Sequence, residues 1–311
     1  MARALLFPGQ GSQRVGMGAE LARQFEPARR VYEEADEALG FALSKICWEG
    51  PEADLMLTAN TQPAILTTSV AVLRTLQAEH GLAFDVCAGH SLGEWSALVA
   101  ASALEFTDAV RLVRLRGEAM QEAVPAGKGA MAAIMGLGFA DLEAVCAEAA
   151  QGEVVSPANL NGAGQIVIAG QAAAVERAIG LAKQKGAKRA VPLQVSAPFH
   201  CALMKPAADR LEQALLDVAA RDLKVPVVSN VEATPYRERV RVKELLVRQV
   251  TSPVRWEASV ERLAADGVDE ALELGSGSVL AGLVKRIAAG IKVTTIGEPH
   301  EVKAWGSTTK N

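Results

Sequence analysis

The chain has 311 residues, half of them hydrophobic, and a formal net charge of -4. This length suits one large domain or two medium ones with a sizeable core. The net charge gives no general attraction for nucleic acid, so we expect no nucleic-acid partner. No apolar run reaches the ~18 residues of a membrane span, and the short apolar start before Pro8 does not fit a signal peptide. We therefore expect a soluble protein without membrane association.

The cysteines are spread widely and form no C-x-x-C pair: Cys47, Cys87, Cys146 and Cys201. This pattern indicates neither a zinc site nor a disulfide framework. We expect no metal and a reducing, cytoplasmic location.

The chain opens with a buried strand over residues 4–7, followed by a loop that contains Gly9 and Gly11. The loop lacks the spacing and the lysine of a phosphate-binding loop, so nucleotide binding is not expected. Backbone N–H groups freed by glycines can instead point at a developing oxyanion. Residues 28–80 then read as mainly helical, with a long apolar helix over residues 63–77.

The central stretch of the sequence is residues 84–95. An apolar run of strand length ends at Gly89, and residues 92–103 read as a helix. Gly89, Ser91 and Gly93 form the G-x-S-x-G pattern of a nucleophile elbow, in which the serine oxygen stands above a sheet. The alternative is a glycine-bounded turn whose serine caps the next helix. The strand before it and the helix after it favour the elbow.

The order of the later elements predicts an α/β fold with a second, smaller domain. A helix over residues 106–124 carries three arginines, and residues 130–195 then read as β-α-β-β-α-β, the ferredoxin-like plan. Alternating helices and strands follow over residues 203–289, which indicates a mainly parallel sheet. We predict a large α/β-hydrolase-like domain over residues 1–124 and 197–311, with a ferredoxin-like domain inserted at residues 125–196.

A serine nucleophile needs a base, which is usually histidine, and the chain has four. His90 follows the elbow strand directly, so its side chain should point away from the serine oxygen. His80 ends a helix and His300 lies near the C-terminus, where both are expected at the surface. His200 lies where the inserted domain returns to the large one, so it is the candidate base, although a buried core histidine is the alternative.

No acidic residue stands in an obvious position to orient this histidine. Asp209 and Glu212 fall on the following helix. A serine–histidine dyad is therefore expected, with a carbonyl oxygen in the place of the acid of a triad.

Several short motifs occur together and in a fixed order. They lie at residues 7–13, 89–94, 114–117 with 120–121, 158–161, 199–200 and 249–256. In this combination the chain resembles the malonyl-CoA:acyl carrier protein transacylases of bacterial fatty acid synthesis, from the first strand to about residue 290. Each motif alone is weak, whereas the ordered set is specific.

The resemblance implies a ping-pong transfer of a malonyl group. Ser91 would attack the thioester of malonyl-CoA, His200 would take its proton, and the backbone N–H groups of Gln10 and Leu92 would form the oxyanion hole. The main-chain carbonyl of Gln249 would orient the histidine. The malonyl ester would then pass to the phosphopantetheine thiol of acyl carrier protein, with malonyl-CoA as substrate and no bound cofactor.

The resemblance also implies the residues of the acyl pocket. Arg116 would hold the malonyl carboxylate through paired hydrogen bonds, because its planar fork matches a carboxylate as lysine cannot. Met120, Asn161 and Phe199 would line the same pocket. The bulky Phe199 favours malonyl over methylmalonyl, although core packing also accounts for Met120.

Two segments depart from the family pattern. Residues 275–278 read Gly-Ser-Gly-Ser where relatives often carry Gly-Pro-Gly-Lys, and residues 301–311 match nothing recognisable. Carrier proteins are acidic, so a basic rim is expected near the cleft, with solvated charges as the alternative. Its candidate residues are Lys188, Arg189, Lys285 and Arg286.

Other functions stay open at this point. One is a serine esterase or thioesterase that passes the acyl group to water, and another is a stand-alone acyltransferase that serves a polyketide synthase. A non-catalytic scaffold that binds carrier proteins is a third. We expect a monomer.

Overall fold

The structure is a computed structural model, and it describes residues 2–308. The strands are β1 Ala2–Phe7, β2 Val86–Gly89, β3 Gly129–Met135, β4 Val155–Gly162, β5 Gln165–Gln171, β6 Arg189–Pro192, β7 Val227–Val228, β8 Pro235–Tyr236, β9 Val268–Leu274 and β10 Lys292–Ile296. The helices are α1 Ala19–Gln24, α2 Glu26–Leu39, α3 Leu43–Glu49, α4 Glu52–Met56, α5 Thr58–His80, α6 Leu92–Ala100, α7 Phe106–Glu122, α8 Phe139–Ala150, α9 Ala172–Gln184, α10 Lys205–Leu215, α11 Arg239–Thr251, α12 Trp256–Ala265, α13 Val279–Ile287 and α14 Pro299–Thr308.

The first sheet has six strands in the order β10-β9-β1-β2-β7-β8. All neighbours run parallel except β7 and β8. The central strand β1 buries Leu5, Leu6 and Phe7 completely, as expected for a parallel strand covered on both faces. The predicted mainly parallel α/β sheet is confirmed.

Helices cover both faces of this sheet and leave its carboxyl edge open. A large core lies under α2, α5, α6 and α7, and a second core packs α12 and α13 against the other face around Trp256. Phe7 of β1 pairs with Gly89 of β2, so both strands end at the same level. The loops that follow them, at residues 8–13 and 90–91, therefore lie side by side.

The second sheet is antiparallel and has four strands in the order β4-β5-β3-β6. Helices α8 and α9 cover one face with a core that includes Ile134, Val145 and Ile168. Strand β4 is joined to the first unit by two backbone hydrogen bonds, from Leu160 N to Val254 O at 2.8 Å and from Val254 N to Ala158 O at 2.9 Å.

Several predicted elements end elsewhere or were missed. At the start of the alternating helices and strands predicted over residues 203–289, a 3₁₀ turn, Ala202–Met204, precedes α10, and β7 has only two residues. The prediction also missed α12, β8, β10 and α14. Strand β8 has only two residues and the edge strand β10 is half-exposed, so the apolar pattern of both is weak. Helix α12 buries Trp256, Val260 and Leu263 at helical spacing and was missed despite that pattern.

Residues 299–308 form α14, whereas residues 309–311 of the unassigned C-terminal segment lie outside the described residues. Within residues 2–308, no helix combines the length and apolar character needed to cross a bilayer.

Candidate active site

The loop between β2 and α6 holds Ser91 in a strained backbone conformation. Its φ is 51° and its ψ is -103°, outside the regions that residues with a side chain usually adopt. A Cβ atom on Gly89 would lie 2.0 Å from Gly93 C, and one on Gly93 would lie 1.9 Å from Phe7 O. Only glycine permits this crossing of strand and helix, and the turn has the geometry of a nucleophile elbow.

His200 is the hydrogen-bond partner of this serine. Its Nε2 lies 2.7 Å from Ser91 Oγ, and its Nδ1 lies 2.8 Å from the carbonyl oxygen of Gln249. A carbonyl can only accept, so Nδ1 carries the proton and Nε2 accepts from the serine hydroxyl. Within residues 2–308, no carboxylate bonds to His200, and a backbone carbonyl stands where a triad has its acid.

The surroundings of His200 favour the neutral imidazole. Burial and the nearby Arg116 guanidinium lower the pKa of His200 to about 3. The ring is therefore uncharged across the neutral range and ready to accept a proton.

Arg116, on α7, is 2 % exposed and reaches the nucleophile. Its Nη1 donates to Gln62 Oε1 at 2.6 Å, and its Nη2 donates to Gln249 Oε1 at 3.0 Å and to Ser91 Oγ at 3.2 Å. Burial lowers the pKa of Arg116 to about 10, which leaves it cationic at neutral pH. It forms no ion pair with any carboxylate of residues 2–308, so this buried cation has room for an anionic ligand.

Two backbone amides beside Ser91 have no hydrogen-bond acceptor within the described chain. They are the N–H groups of Gln10, in the loop after β1, and of Leu92, at the first turn of α6. The Gln10 side chain donates to Thr58 Oγ1 at 3.2 Å, and that hydroxyl pairs with Ser196 Oγ at 2.7 Å. These contacts hold the Gln10 side chain, and Gln10 and Leu92 line the same cavity as Ser91.

A cavity of about 140 Å³ opens at this point between the two sheets. Its lining residues are Gln10, Gln62, His90, Ser91, Leu92, Arg116, Met120, Met131, Asn159, Leu193, Val195, Phe199 and His200. Six of these residues are apolar, and the seven polar ones include Ser91, Arg116 and His200. Such a cavity suits a small acyl group with one charged end.

A family model described as "Acyl transferase domain" matches residues 4–297. The chain belongs to the acyl transferase family. It is an acyltransferase, and the predicted recognition is confirmed. The chain is 51% identical over 308 residues to the malonyl CoA-acyl carrier protein transacylase of Bacillus subtilis (strain 168), covering 99% of this chain and 97% of that protein.

Solved structures of acyltransferases have the same fold over the whole length. An acyl carrier protein S-malonyltransferase from Vibrio cholerae is 49% identical with a TM-score of 0.95, covering 98% of this chain and 100% of that one. A malonyl-transacylase in complex with its type II PKS acyl-carrier protein is 46% identical with a TM-score of 0.96, covering 99% of this chain and 100% of that one.

One predicted pocket residue of this acyltransferase lies elsewhere. Asn161 is not among the residues that line the cavity; its Oδ1 lies 2.9 Å from Nε2 of His90, which does line it. Asn159 lines the cavity instead. Two irregularities in the pairing of β4 with β5, at Pro157/Asn159 and Leu160/Gly162, break the simple alternation of side chains along this strand.

The other histidines and the basic candidates are placed as follows. His300 is exposed as predicted, whereas His80 is half-buried under α14, where its Nε2 lies 3.0 Å from Val302 O. The prediction of a surface position for His80 is wrong, because the helix that covers it was missed. The basic candidates are all exposed and form no ion pair within residues 2–308: Lys188, Arg189, Lys285 and Arg286.

The sequence reasoning missed three polar residues of the site. Gln62 accepts a hydrogen bond from Arg116. Asn230 Oδ1 accepts from Ser91 N, and Glu94 Oε2 accepts from Asn230 N. Glu94 follows the elbow directly in sequence, which is the one signal that could have identified it. Gln62 and Asn230 lie far away in sequence and have no local pattern. Within the described chain, no cluster of side chains could hold a metal ion.

Proposed function

We propose that the protein transfers the malonyl group of malonyl-CoA to the phosphopantetheine thiol of acyl carrier protein through a malonyl-serine intermediate, and so supplies fatty acid synthesis. The observation that carries this proposal is Arg116. A buried guanidinium without a carboxylate partner lies 3.2 Å from the nucleophile, where an acyl group with a negative end would complete it.

In the first half-reaction, Ser91 Oγ attacks the thioester carbonyl as its proton passes to His200 Nε2. The carbonyl oxygen becomes an oxyanion, which the N–H groups of Gln10 and Leu92 stabilise. The C–S bond then breaks, and the coenzyme A sulfur leaves with the proton from His200. The carbonyl of Gln249 holds the ring in the tautomer that this sequence of steps needs.

In the second half-reaction, the carrier thiol gives its proton to His200 and attacks the malonyl ester. The same amides stabilise the second tetrahedral intermediate, the C–O bond breaks, and Ser91 recovers its proton. The pKa of about 3 makes His200 a weak base, which suits a thiol nucleophile better than water because the thiol gives up its proton more readily.

Acyl selectivity follows from the same pocket. Arg116 binds the malonyl carboxylate with its two terminal nitrogens, while Met120 and Phe199 border the methylene carbon. An acetyl group would leave the buried guanidinium without an anion, which disfavours it. Asn161 bonds to His90 and has no contact with the acyl group in this proposal.

The four basic candidates form one face for an acidic carrier protein. The turn between β4 and β5 lies between the two basic pairs. On one side, Gly164 O accepts from Gly136 N, beside Lys188. On the other side, a Cβ on Gly162 would lie 2.5 Å from Ile287 Cγ1 at the end of α13, next to Arg286. This turn lies roughly 13 Å along β4 from Asn159 in the cavity, given the ~3.3 Å rise per strand residue. A flexible prosthetic arm can span that gap while the carrier stays on the rim.

Charge reversal tests this carrier face. Changing all four candidates to Glu should raise the KM for carrier protein about tenfold and leave malonyl loading from malonyl-CoA unchanged. Arg29→Glu with Arg30→Glu on α2, which packs on α5 and α7, is the matched control. Unchanged carrier kinetics in the fourfold variant would refute the assignment.

We also propose that the second sheet and its helices form a ferredoxin-like domain, inserted at residues 125–196 into an α/β-hydrolase-like domain of residues 1–124 and 197–311. The β-α-β-β-α-β order, the strand order β4-β5-β3-β6 and a separate apolar core support this division. A monomer in the cytoplasm remains our expectation, and the free state of all four cysteines supports a reducing location.

Mass spectrometry of the intact protein after mixing with malonyl-CoA tests the proposed function. We expect a malonyl adduct on Ser91 that acyl carrier protein removes. Rapid release of malonate without carrier would instead indicate a hydrolase, and the absence of any adduct would indicate a scaffold. A carrier from polyketide synthesis is the second candidate acceptor, because one structural relative is bound to such a carrier, and a comparison of kcat/KM for both carriers decides between them.

A further inference from the structure

Glu94 is a buried carboxylate without a role in the steps above. It lies on α6 and is completely buried. Its Oε2 accepts hydrogen bonds from Gln249 Nε2 at 2.6 Å and from Asn230 N at 3.1 Å, and it forms no ion pair within residues 2–308. A carboxylate in such a position is costly unless a positive charge lies near, so its surroundings need an explanation.

The side chain of Gln249 connects Glu94 to Arg116. Its nitrogen faces only acceptors, namely Glu94 Oε2, Ser91 O at 3.0 Å and Asn230 Oδ1 at 3.3 Å. Its oxygen faces Arg116 Nη2 at 3.0 Å. The amide can therefore adopt only one orientation, and carboxylate, amide and guanidinium stand in a row.

We propose that Glu94 is a positioning residue that sets acyl specificity, by supplying the counter-charge of Arg116 from one amide away. The inference rests on the proposed function. A carboxylate in direct contact would occupy the guanidinium that the acyl group needs, whereas no counter-charge at all would leave a buried cation uncompensated. Gln249 is the spacer that keeps Glu94 near the guanidinium but out of contact with it.

This arrangement predicts opposite effects for removing the charge and for moving it. Without the Glu94 charge, Arg116 attracts an anionic acyl group more strongly. With the charge moved onto position 249, a carboxylate competes directly with the acyl group for the guanidinium. A purely structural role of Glu94 would instead weaken the binding of malonyl-CoA and acetyl-CoA equally.

Binding measurements in a Ser91→Ala background test these effects without acyl transfer. By calorimetry at pH 8, we expect Glu94→Gln to bind malonyl-CoA about tenfold more tightly than the parent and to bind acetyl-CoA unchanged. Glu273→Gln is the matched control, because Glu273 is equally buried but accepts only from Leu280 N and Ala281 N. The control should leave the ratio of the two affinities unchanged.

The exchange variant, Glu94→Gln with Gln249→Glu, keeps the net charge and the two functional groups but reverses their order. We expect it to bind malonyl-CoA about a hundredfold more weakly, with acetyl-CoA within about twofold of the parent. Thermal unfolding verifies that each variant is folded. A ratio of affinities that stays at the parent value in both Glu94 variants would overturn the inference.

The parent protein offers a pH test of the same point. Burial raises the pKa of Glu94 to about 7, so its charge disappears as the pH falls from 8 to 6. The ratio of the affinities for malonyl-CoA and acetyl-CoA should therefore rise in the parent as the pH falls, toward the ratio found for Glu94→Gln. The ratio for Glu94→Gln should not change with pH. Arg116 on α7 has a pKa of about 10, and burial raises the pKa of Tyr236 on β8 well above its usual value, so neither of these two neighbours of Glu94 titrates in this window. His200, which bonds to the Gln249 carbonyl, has a pKa of about 3 and does not titrate there either.

The two ways of failing are distinct. If the proposed function is wrong, the protein with Ser91 intact forms no malonyl adduct and the parent does not prefer malonyl-CoA to acetyl-CoA. If only the inference is wrong, the adduct and the preference are present, but Glu94→Gln leaves the preference unchanged.

Discussion

The two sheets of the molecule differ in how many polar side chains they and their helices bury. The six-stranded sheet and its helices bury Glu94, Arg116, His200 and Glu273, together with most of the buried amides and hydroxyls. Over residues 129–192, the only buried polar side chain of the four-stranded unit is Asn159, which faces the cavity. The first unit therefore holds the reactive residues and the buried polar groups, whereas the second contributes one side of the cavity and has an apolar core.

Removing the nucleophile is the strongest test of this comparison. Ser91→Ala should lower malonyl transfer at least about 10⁴-fold, because Ser91 Oγ is the hydroxyl that hydrogen-bonds to His200 Nε2. The rate of carrier malonylation measures this loss, and circular dichroism verifies the fold. Transfer at more than a few per cent of the normal rate would show that the chemistry lies elsewhere.

Removing the buried cation is the next test. Arg116→Ala should lower kcat/KM for malonyl-CoA about a hundredfold and should affect acetyl-CoA much less, because only the malonyl group carries the charge that Arg116 binds. Arg114→Ala on the same helix is the control, since Arg114 is partly exposed and bonds to Glu118 and Asn60. Equal losses for both acyl groups would contradict the assigned role.

The depressed pKa of His200 gives a pH prediction of intermediate size. For an ordinary imidazole with a pKa near 6.5, only about one molecule in 30 is neutral at pH 5. With a pKa of about 3, His200 stays neutral there, and its ability to take a proton is lost only as the pH falls through about 3. In Glu94→Gln, where the carboxylate with a pKa of about 7 is absent, the rate at which methanesulfonyl fluoride, a neutral reagent, modifies Ser91 should change less than about twofold between pH 7 and pH 5. A midpoint near 6.5 would show that burial does not control this histidine.

The smallest expected effect concerns the four-stranded unit, which forms one side of the cavity. Ile168→Val in the centre of β5 removes one buried methyl group and should destabilise the protein by about 0.5–1.5 kcal/mol. Malonyl transfer at 25 °C should not change, because no polar contact of the site involves this strand. Ile168→Val can be compared with Leu272→Val in the parallel sheet by thermal unfolding and kinetics. A loss of transfer in Ile168→Val alone would mean that the second unit does more than form a wall.

The comparison also explains what the sequence could predict. Ser91 stood out because two glycines flank it in a strand-to-helix turn, and His200 because the other three histidines could be set aside. Gln62 and Asn230 could not be recognised, because each acts through partners that only the folded chain brings together. Glu94 follows the elbow directly in sequence, but its partners Gln249 and Asn230 are equally remote. The pocket position of Asn161 was implied by the resemblance alone, and its contact with His90 arises only in the folded chain.

The segment of residues 193–200 supplies both the cavity wall, through Leu193, Val195 and Phe199, and the base His200, whose φ of 58° depends on its neighbours. The residues that limit the size of the acyl group and the residue that transfers the proton thus lie within eight consecutive positions of the chain. A lineage that widens the pocket by replacing Phe199 must at the same time preserve the backbone that aims the imidazole. Evolution toward bulkier acyl donors should therefore proceed through compensating changes in this one loop, and should be slower than the pocket alone would suggest.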